Sequence, residues 1–406
     1  MGRTAGMDKA RQKARITVTG GRVITPGGLI EDGVVQAEGA VLTFVGSRRK
    51  FLEKGRDDAE MVVDARGGFI SPGFIDLHVH GGGGADFMDG TPEAMATIAR
   101  AHAEHGTTSF LATTLTGPAD QLLKVARACR TARESGRLGA EVLGIHLEGP
   151  FINPVARGAQ NAAFVRPLAV DELDNLRRES GDAVRMVTLA PEMPGAVELV
   201  AALRERRVIA SAGHTAASYE EVEAAVQNGL SMATHTFNAM GVLHHREPGV
   251  IGAVLTTPEL YAQLIVDGIH LHPAVVSLAV RAKGARRIVL ITDAISGVGL
   301  SPGRYKLGGM EIVVDEVSAR LPEGNLAGSL LTMEKAVKNV MEFTGIPVHE
   351  AVRMASLTPA EALGLEKRKG SLSVGKDADL AVLDDQFRVR LTIGRGQVIY
   401  DPGQLI

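Results

Sequence analysis

The stretch FIDLHVH, Phe74 to His80, ends an apolar run with two histidines one position apart. In a strand, side chains at i and i+2 share a face, so the imidazoles of His78 and His80 aim at one point. Two imidazoles buried side by side need separate partners, and their charged forms repel; a shared cation removes both difficulties. Other apolar runs end in the same way. IHLEGP carries His146 and Glu148, SAGH ends in His214, MATHTFN carries His235, IVDGIH carries Asp267 and His270, and IVLITDA carries Asp293. A carboxylate flanked by apolar residues, as at Glu148, is costly unless paired or metal-bound. Imidazole nitrogen and carboxylate oxygen without thiolate suit Zn²⁺, Fe²⁺, Mn²⁺ or Co²⁺ and argue against a closed structural site. Three ligands, Glu148, His214 and His235, leave a position for water, whose pKa such a cation lowers toward 7. Asp293 is the natural base for that water and the acid for a departing amine. His78 and His80 form a second candidate site about 3.5–4 Å away, bridged by Glu148 or by the hydroxide.

The remaining histidines have plainer readings. His146 is expected to be a hydrogen-bonded core residue. His102 and His105, at i and i+3 of a helix, are expected to face solvent or the helix end, and His272, just before a proline, to be structural. Cys129 lies in the helical-looking KVARACRTARE and reads as a structural thiol.

Gathering these groups requires elements that all deliver their ends to one place. Eight apolar runs follow in order: FIDLHV, TTSFLAT, EVLGIHLEG, VRMVTLAP, RVIASAGH, MATHTFN, QLIVDGIH and RIVLITDA. Helical segments separate most of them, and Ser218 with Glu221 makes a capping box at the start of one. Eight strand–helix units in this length predict a (β/α)₈ TIM-like barrel, in which the C-terminal strand ends form the catalytic face. A doubly wound sheet would call for a spaced GxGxxG after a strand; the chain has only GGGG there. Residues 16 to 70 and the C-terminal KGSLSVGKDADLAVLDDQFRVRLTIG show period-2 patterning and glycine turns instead. The expected organisation is therefore a barrel over 71–358, with a small β-sandwich built from 1–70 and 359–406.

Composition narrows the field. With 44 Lys and Arg against 47 Asp and Glu, the net charge of −3 gives no global invitation to nucleic acid or to an acidic membrane. The single cysteine rules out an intramolecular disulfide and fits a reducing compartment. The polar N-terminus lacks the apolar core of a signal peptide, and no apolar run reaches transmembrane length, so a cytoplasmic location is expected.

PGFIDLHVHGGGG, HLEGPFINP, SAGHT, THTFNAM, HHREPGVIGA, DGIHLHP, ITDAISGVG and LAGSLLTM, in this order, resemble the N-acetylglucosamine-6-phosphate deacetylase family of the amidohydrolase superfamily. HLEGPF and the THTFNAM…REPG pair are the most specific of these. The resemblance implies a metal-bearing barrel with a terminal β-sandwich, ligands Glu148, His214 and His235, and Asp293 as acid/base. It further implies that His270 contacts the sugar and polarises the acetamide carbonyl. Arg246 would bind phosphate across a homodimer interface, with the backbone at Asn238 and Ala239 also holding it, and Leu326, Ala327 and Gly328 would line an acetyl pocket. Two departures stand out. The HxH pair is present where some members have amides, so one or two cations, Zn²⁺ or Fe²⁺ foremost, are expected. In the substrate-binding stretch RGAQ, Gln160 follows Ala159 where many members have histidine; an amide can hydrogen-bond a sugar or carbonyl oxygen but carries no charge. The implied reaction is hydrolysis of N-acetyl-D-glucosamine 6-phosphate to glucosamine 6-phosphate and acetate. The alternatives are the N-acetylgalactosamine 6-phosphate reaction, another N-acyl amino sugar, and a non-catalytic sugar-phosphate-binding protein. Cyclic-amide hydrolases are disfavoured, because Glu148 stands where they carry a bridging lysine.

Overall fold

The computed structural model describes residues 14–55, 59–136, 139–167, 169–403 and 405; the polar stretch up to residue 13 lies outside them. Its centre is a sheet of eight parallel strands: β1 (Phe74–Val79), β2 (Thr107–Thr113), β3 (Glu141–Glu148), β4 (Val184–Leu189), β5 (Ile209–Ala212), β6 (Leu230–Ala233), β7 (Tyr261–Ile265) and β8 (Ile288–Ile291). Each strand pairs with the next in chain order. β1, β2 and β8 are buried along their full length, as strands covered on both faces must be. Their sequences accordingly read as apolar runs and not as alternations.

The cylinder closes just past β8. The His80 amide donates to the Ala294 carbonyl at 2.8 Å, and the Asp293 amide donates to the His78 carbonyl at 2.9 Å. Asp76, wholly buried between the two segments, accepts from the Thr292 hydroxyl at 2.5 Å and from the His78 amide at 3.1 Å. The seam therefore brings the HxH pair and Asp293 side by side through backbone bonds.

A helix follows every strand: α1 (Pro92–Ala103), α2 (Ala119–Glu134), α3 (Val170–Glu179), α4 (Ala196–Glu205), α5 (Tyr219–Asn228), α6 (Gly249–Thr256), α7 (Pro273–Lys283) and α8 (Met333–Thr344). The capping box is present, with Ser218 and Glu221 bonded reciprocally at the start of α5. Two helices were not legible. In α6, GVIGAVLT has almost no polar face, so the helical period has nothing to show against. α8 is separated from β8 by an unanticipated antiparallel hairpin, Gly303–Leu307 with Met310–Val314. His272 caps α7 by accepting the Ala274 amide, a structural role as expected. One expectation is corrected. His102 is 1% exposed, not solvent-facing, and its Nε2–H donates to the Gly81 carbonyl at 3.0 Å. Burial lowers its pKa to about 4 and keeps it neutral under the glycine loop. His105 ends its helix in a half-buried pair with Glu334 at 2.9 Å.

Both chain ends share one further sheet. Strands Arg15–Thr25, Gly28–Glu38, Val41–Ser47, Met61–Asp64 and Phe69–Pro72 join Leu380–Leu383, Val389–Gly394 and Gln397–Tyr400. Phe69–Pro72 pairs antiparallel with Leu380–Leu383 and runs almost directly into β1. This sheet encloses its own core of Val18, Val35, Ile70, Leu380 and Leu391. Below the barrel, the fully buried Lys369 ammonium meets Glu141 at 2.7 Å, Asp377 at 3.1 Å and Asp379 at 2.5 Å. A buried ammonium with three carboxylates has the partners that desolvation demands.

The 303–314 hairpin is tied to the glycine loop by Asp86, whose carboxylate accepts the Gly308 and Met88 amides, both at 2.8 Å. Burial raises the Asp86 pKa to about 6 despite those bonds. A carboxyl whose folded pKa is raised binds more protons folded than unfolded, so its stabilising contribution is full at low pH and is lost as pH rises through about 6. The chemical-denaturation midpoint of the native chain relative to Asp86→Asn should therefore fall between pH 5 and 7.5. A gap between the two proteins that does not change with pH would contradict this.

Candidate active site

Each strand end delivers its polar side chain to the same mouth. His78 and His80 lie at and just past the end of β1, Glu148 ends β3, and His214 and His235 each follow β5 and β6 by two residues. Asp293 stands two residues past β8, and His270 five past β7. The backbone there is unusual. Of the ten non-glycine residues with positive φ among the described residues, four line this pocket, His214 (50°), His235 (28°), Ala239 (51°) and Asp293 (53°), and a fifth, Phe237 (82°), lies between two of them in the chain. Such conformations cost on the order of 1–3 kcal/mol each and persist where surrounding structure enforces them. Glycine is required at position 149, with φ of 83°, because a Cβ there would lie 2.1 Å from the Thr116 hydroxyl.

Two triangles of donor atoms result. In the first, Glu148 Oε1 lies 3.1 Å from His214 Nε2 and 3.0 Å from His235 Nε2, which are 3.1 Å from each other. In the second, Asp293 Oδ1 lies 3.2 Å from His78 Nε2 and 3.1 Å from His80 Nε2, themselves 3.1 Å apart. Glu148 stands between them, with Oε1 3.4 Å from His78 Nε2 and Oε2 3.4 Å from His80 Nε2. Ligands on a tetrahedral cation with bonds of about 2.0–2.1 Å are about 3.3 Å apart, so both triangles have the dimensions of a metal site.

The opposite ring nitrogens support that fit. His214 Nδ1–H donates to the Ala156 carbonyl at 3.1 Å, His80 Nδ1–H to the Thr113 carbonyl at 3.3 Å, and His78 Nδ1–H to Gln263 Oε1 at 3.3 Å. With those protons on Nδ1, the Nε2 lone pairs face inward, the tautomer a ligand needs. Lone pairs turned toward one another at 3.1 Å repel unless a proton or cation lies between them. His235 Nδ1, buried, has no partner. The carboxylates are in the ligand form as well. Burial alone would raise Glu148 and Asp293, but the surrounding histidines hold both well below the usual carboxylate range. Burial likewise works against a charged His80, yet Asp293 and Glu148 hold its pKa well above the ordinary value, so cation uptake must release protons.

The pocket is walled by His80, Glu148, His214, His235, His270 and Asp293, with Leu115, Gly158, Ala159, Gln160, Asn238, Ala239, Leu307, Leu326 and Gly328 around them. Three residues singled out in the sequence are not on that wall, and the first, His78, is fully buried behind it. Ala327 is fully buried, and Arg246 is exposed with Nη1 2.7 Å from His245 Nε2. The Asn238 amide and side-chain Nδ2 both donate to the His235 carbonyl, at 2.9 and 3.2 Å. Gln160 has a protein partner for each end of its amide: Nε2–H donates to Glu148 Oε2 at 2.6 Å, and Oε1 accepts the Thr116 amide at 2.7 Å. His270 Nδ1–H donates to Asp267 Oδ2 at 2.6 Å, while the other Asp267 oxygen accepts the Ile269 and His270 amides. His146 belongs to the core: it is fully buried, 2.7 Å from the Thr188 hydroxyl, and held neutral by burial. Sequence reading missed Asp76 and Gln263, which orient His78, and Leu307. Asp76 shares the i, i+2 face of His78 and so had a signal; Leu307 sits on the unforeseen hairpin and had none.

A parallel barrel with imidazoles and carboxylates converging at its C-terminal strand ends defines a metal-dependent hydrolase. The chain belongs to the amidohydrolase family, whose model matches residues 69–399. It is 40% identical over 381 residues to the N-acetylglucosamine-6-phosphate deacetylase of Bacillus subtilis, covering 93% of this chain and 95% of that one. It is 38% identical over 369 residues to the N-acetylgalactosamine-6-phosphate deacetylase of Escherichia coli O157:H7, covering 91% and 93%. Among solved structures, a mutant N-acetyl-D-glucosamine-6-phosphate deacetylase from Mycobacterium smegmatis, in complex with N-acetyl-D-glucosamine-6-phosphate, superposes with TM-score 0.87 at 32% identity over 96% of this chain and 99% of that one. No helix among the described residues is long and apolar enough to cross a membrane.

A cation binding only the folded chain stabilises it by about 2.7 kcal/mol at a hundred times its dissociation constant. Adding Zn²⁺ to chelator-stripped protein should therefore raise the calorimetric melting temperature by several degrees, and Glu148→Gln should abolish most of that rise. A full rise in the variant would remove Glu148 from the ligand set.

Proposed function

We propose that this chain removes the N-acetyl group from N-acetyl-D-glucosamine 6-phosphate, giving D-glucosamine 6-phosphate and acetate. The observation that carries the reading is the first donor triangle, Glu148, His214 and His235, placed within one pocket beside the Asp293 carboxylate and the His270 imidazole. The relatives' names supply the substrate class.

Glu148, His214 and His235 would hold a divalent cation, with His78, His80 and Asp293 offering a second place. When bound, the cation polarises the amide carbonyl and acidifies a water molecule. Asp293, ionised and at the barrel seam, takes the proton from that water and returns it to the departing nitrogen, so one carboxylate serves as base and then acid. His270 presents Nε2 to the acetamide oxygen. Asp267, bonded to Nδ1, fixes the ring orientation in which Nε2 faces the developing charge. The phosphate lies remote from the scissile bond and supplies binding energy that positions the acetamide. Arg246 is exposed, and its planar fork of donors suits phosphate. It serves this role from one subunit into the site of a second copy, with the backbone at Asn238 and Ala239 completing the phosphate site.

The galacto epimer is the second reading, favoured by the 38% identical Escherichia coli relative. Acetate release from the two N-acetylhexosamine 6-phosphates, assayed side by side on metal-reloaded protein, decides between them, and failure on both defeats the reading. Asp293→Asn should lower kcat by about 10²–10⁴-fold while substrate still binds; undiminished turnover would exclude the acid/base role. Arg246→Ala should raise KM for the phosphorylated sugar far more than for plain N-acetylglucosamine. Equal changes for the two sugars would take Arg246 out of the phosphate site.

A further inference from the structure

Gln160 is 3% exposed and touches Glu148, the carboxylate that ends the first donor triangle and stands 3.4 Å from the two histidines of the second. The orientation of its amide is dictated by chemistry. A backbone N–H can only donate, so the Thr116 amide, 2.7 Å away, must face Oε1, and the amide NH₂ must then face Glu148 Oε2 at 2.6 Å. The Gln160 backbone is pinned as well: its N–H donates to the Arg157 carbonyl at 2.9 Å, and Arg157 Nη1 donates back to the Gln160 carbonyl at 3.1 Å. The donor is thus fixed in place, and it rests on one oxygen of the carboxylate only.

We propose that Gln160 is a positioning residue that divides Glu148 unequally, leaving Oε1 to the cation of His214 and His235 and making Oε2 a poor bridge to a cation at His78, His80 and Asp293. A hydrogen bond to a carboxylate oxygen is short and strong, and it withdraws the electron density a metal would use. Oε1 carries no such donor from Gln160 and lies 3.0–3.1 Å from its two imidazoles, whereas Oε2 stands 3.4 Å from His80. Cation loading is therefore ordered: a tight first equivalent and a weaker second. The inference rests on the metal-site reading above, but its test separates the two.

Metal-stripped full-length protein is titrated with Zn²⁺ by competition against a chromogenic chelator. The native chain should take up two equivalents in steps whose dissociation constants differ by about a hundredfold or more. Losing a hydrogen-bond partner of a metal ligand changes affinity by about 10–100-fold, and Gln160→Met, similar in length without a donor, should narrow the gap by that factor. Gln160→His, which keeps an N–H, should restore it, a rescue that a purely structural role does not predict. Gln160→Leu serves if the Met variant fails to fold. Equal affinities for both equivalents in the native chain, or an unchanged gap in the donor-less variants, would overturn the proposal while leaving the metal site standing. No Zn²⁺ uptake at all would instead defeat the metal reading itself.

Discussion

The Glu148 carboxylate, 2% exposed at the end of a buried strand, is the constraint around which this barrel is arranged. Taking a carboxylate out of water costs several kcal/mol even after relaxation, and only close partners of opposite charge or strong donors offset it. The chain supplies four imidazoles and one amide, drawn from strands that are far apart in sequence. None of these partners can be withdrawn without exposing the others to the same penalty. The geometry of the site is therefore also a condition for burying it. Three of the four histidines are in turn oriented from behind, His78 by Gln263, His80 by Thr113 and His214 by Ala156.

The barrel seam explains why the acid/base candidate and the HxH pair belong together. Residues 78–80 and 293–294 exchange the backbone bonds that finish the cylinder. A side chain on one side of that seam cannot move relative to the other without breaking sheet hydrogen bonds. Left-handed backbone at His214, His235 and Asp293 turns each side chain inward just where its strand stops. Local strain of this kind accumulates where function overrides conformational preference, and a closed sheet is stiff enough to sustain it.

Much of this was legible beforehand because the signals are local. Apolar runs ending in His or Asp mark strands whose tips face a common mouth, and the i, i+2 spacing of His78 and His80 states their shared direction outright. The hairpin at 303–314 and helix α6 were invisible for opposite reasons: the first depends on tertiary support from Asp86, and the second is too uniformly apolar to show a period. His102 was misjudged because helical spacing says which residues share a face and not which face is covered; here the glycine loop lies over it. Gln160 reads as a substrate contact only through the family resemblance. Only the fold reveals that both ends of its amide already have partners.

The pairing of Phe69–Pro72 with Leu380–Leu383 bears on how such a chain is made. The strand that leads into β1 has a partner that is made only after every barrel strand and helix, so one edge of the terminal sheet stays open while the whole barrel is synthesised. Most of the cylinder can assemble in vectorial order, each strand docking on its predecessor. The join between Phe69–Pro72 and Leu380–Leu383, with the Lys369 cluster, must wait until those later residues have been made. An unpaired edge held open that long is where a nascent amidohydrolase is most exposed to mispairing, and it is where a folding helper would have the most to shield.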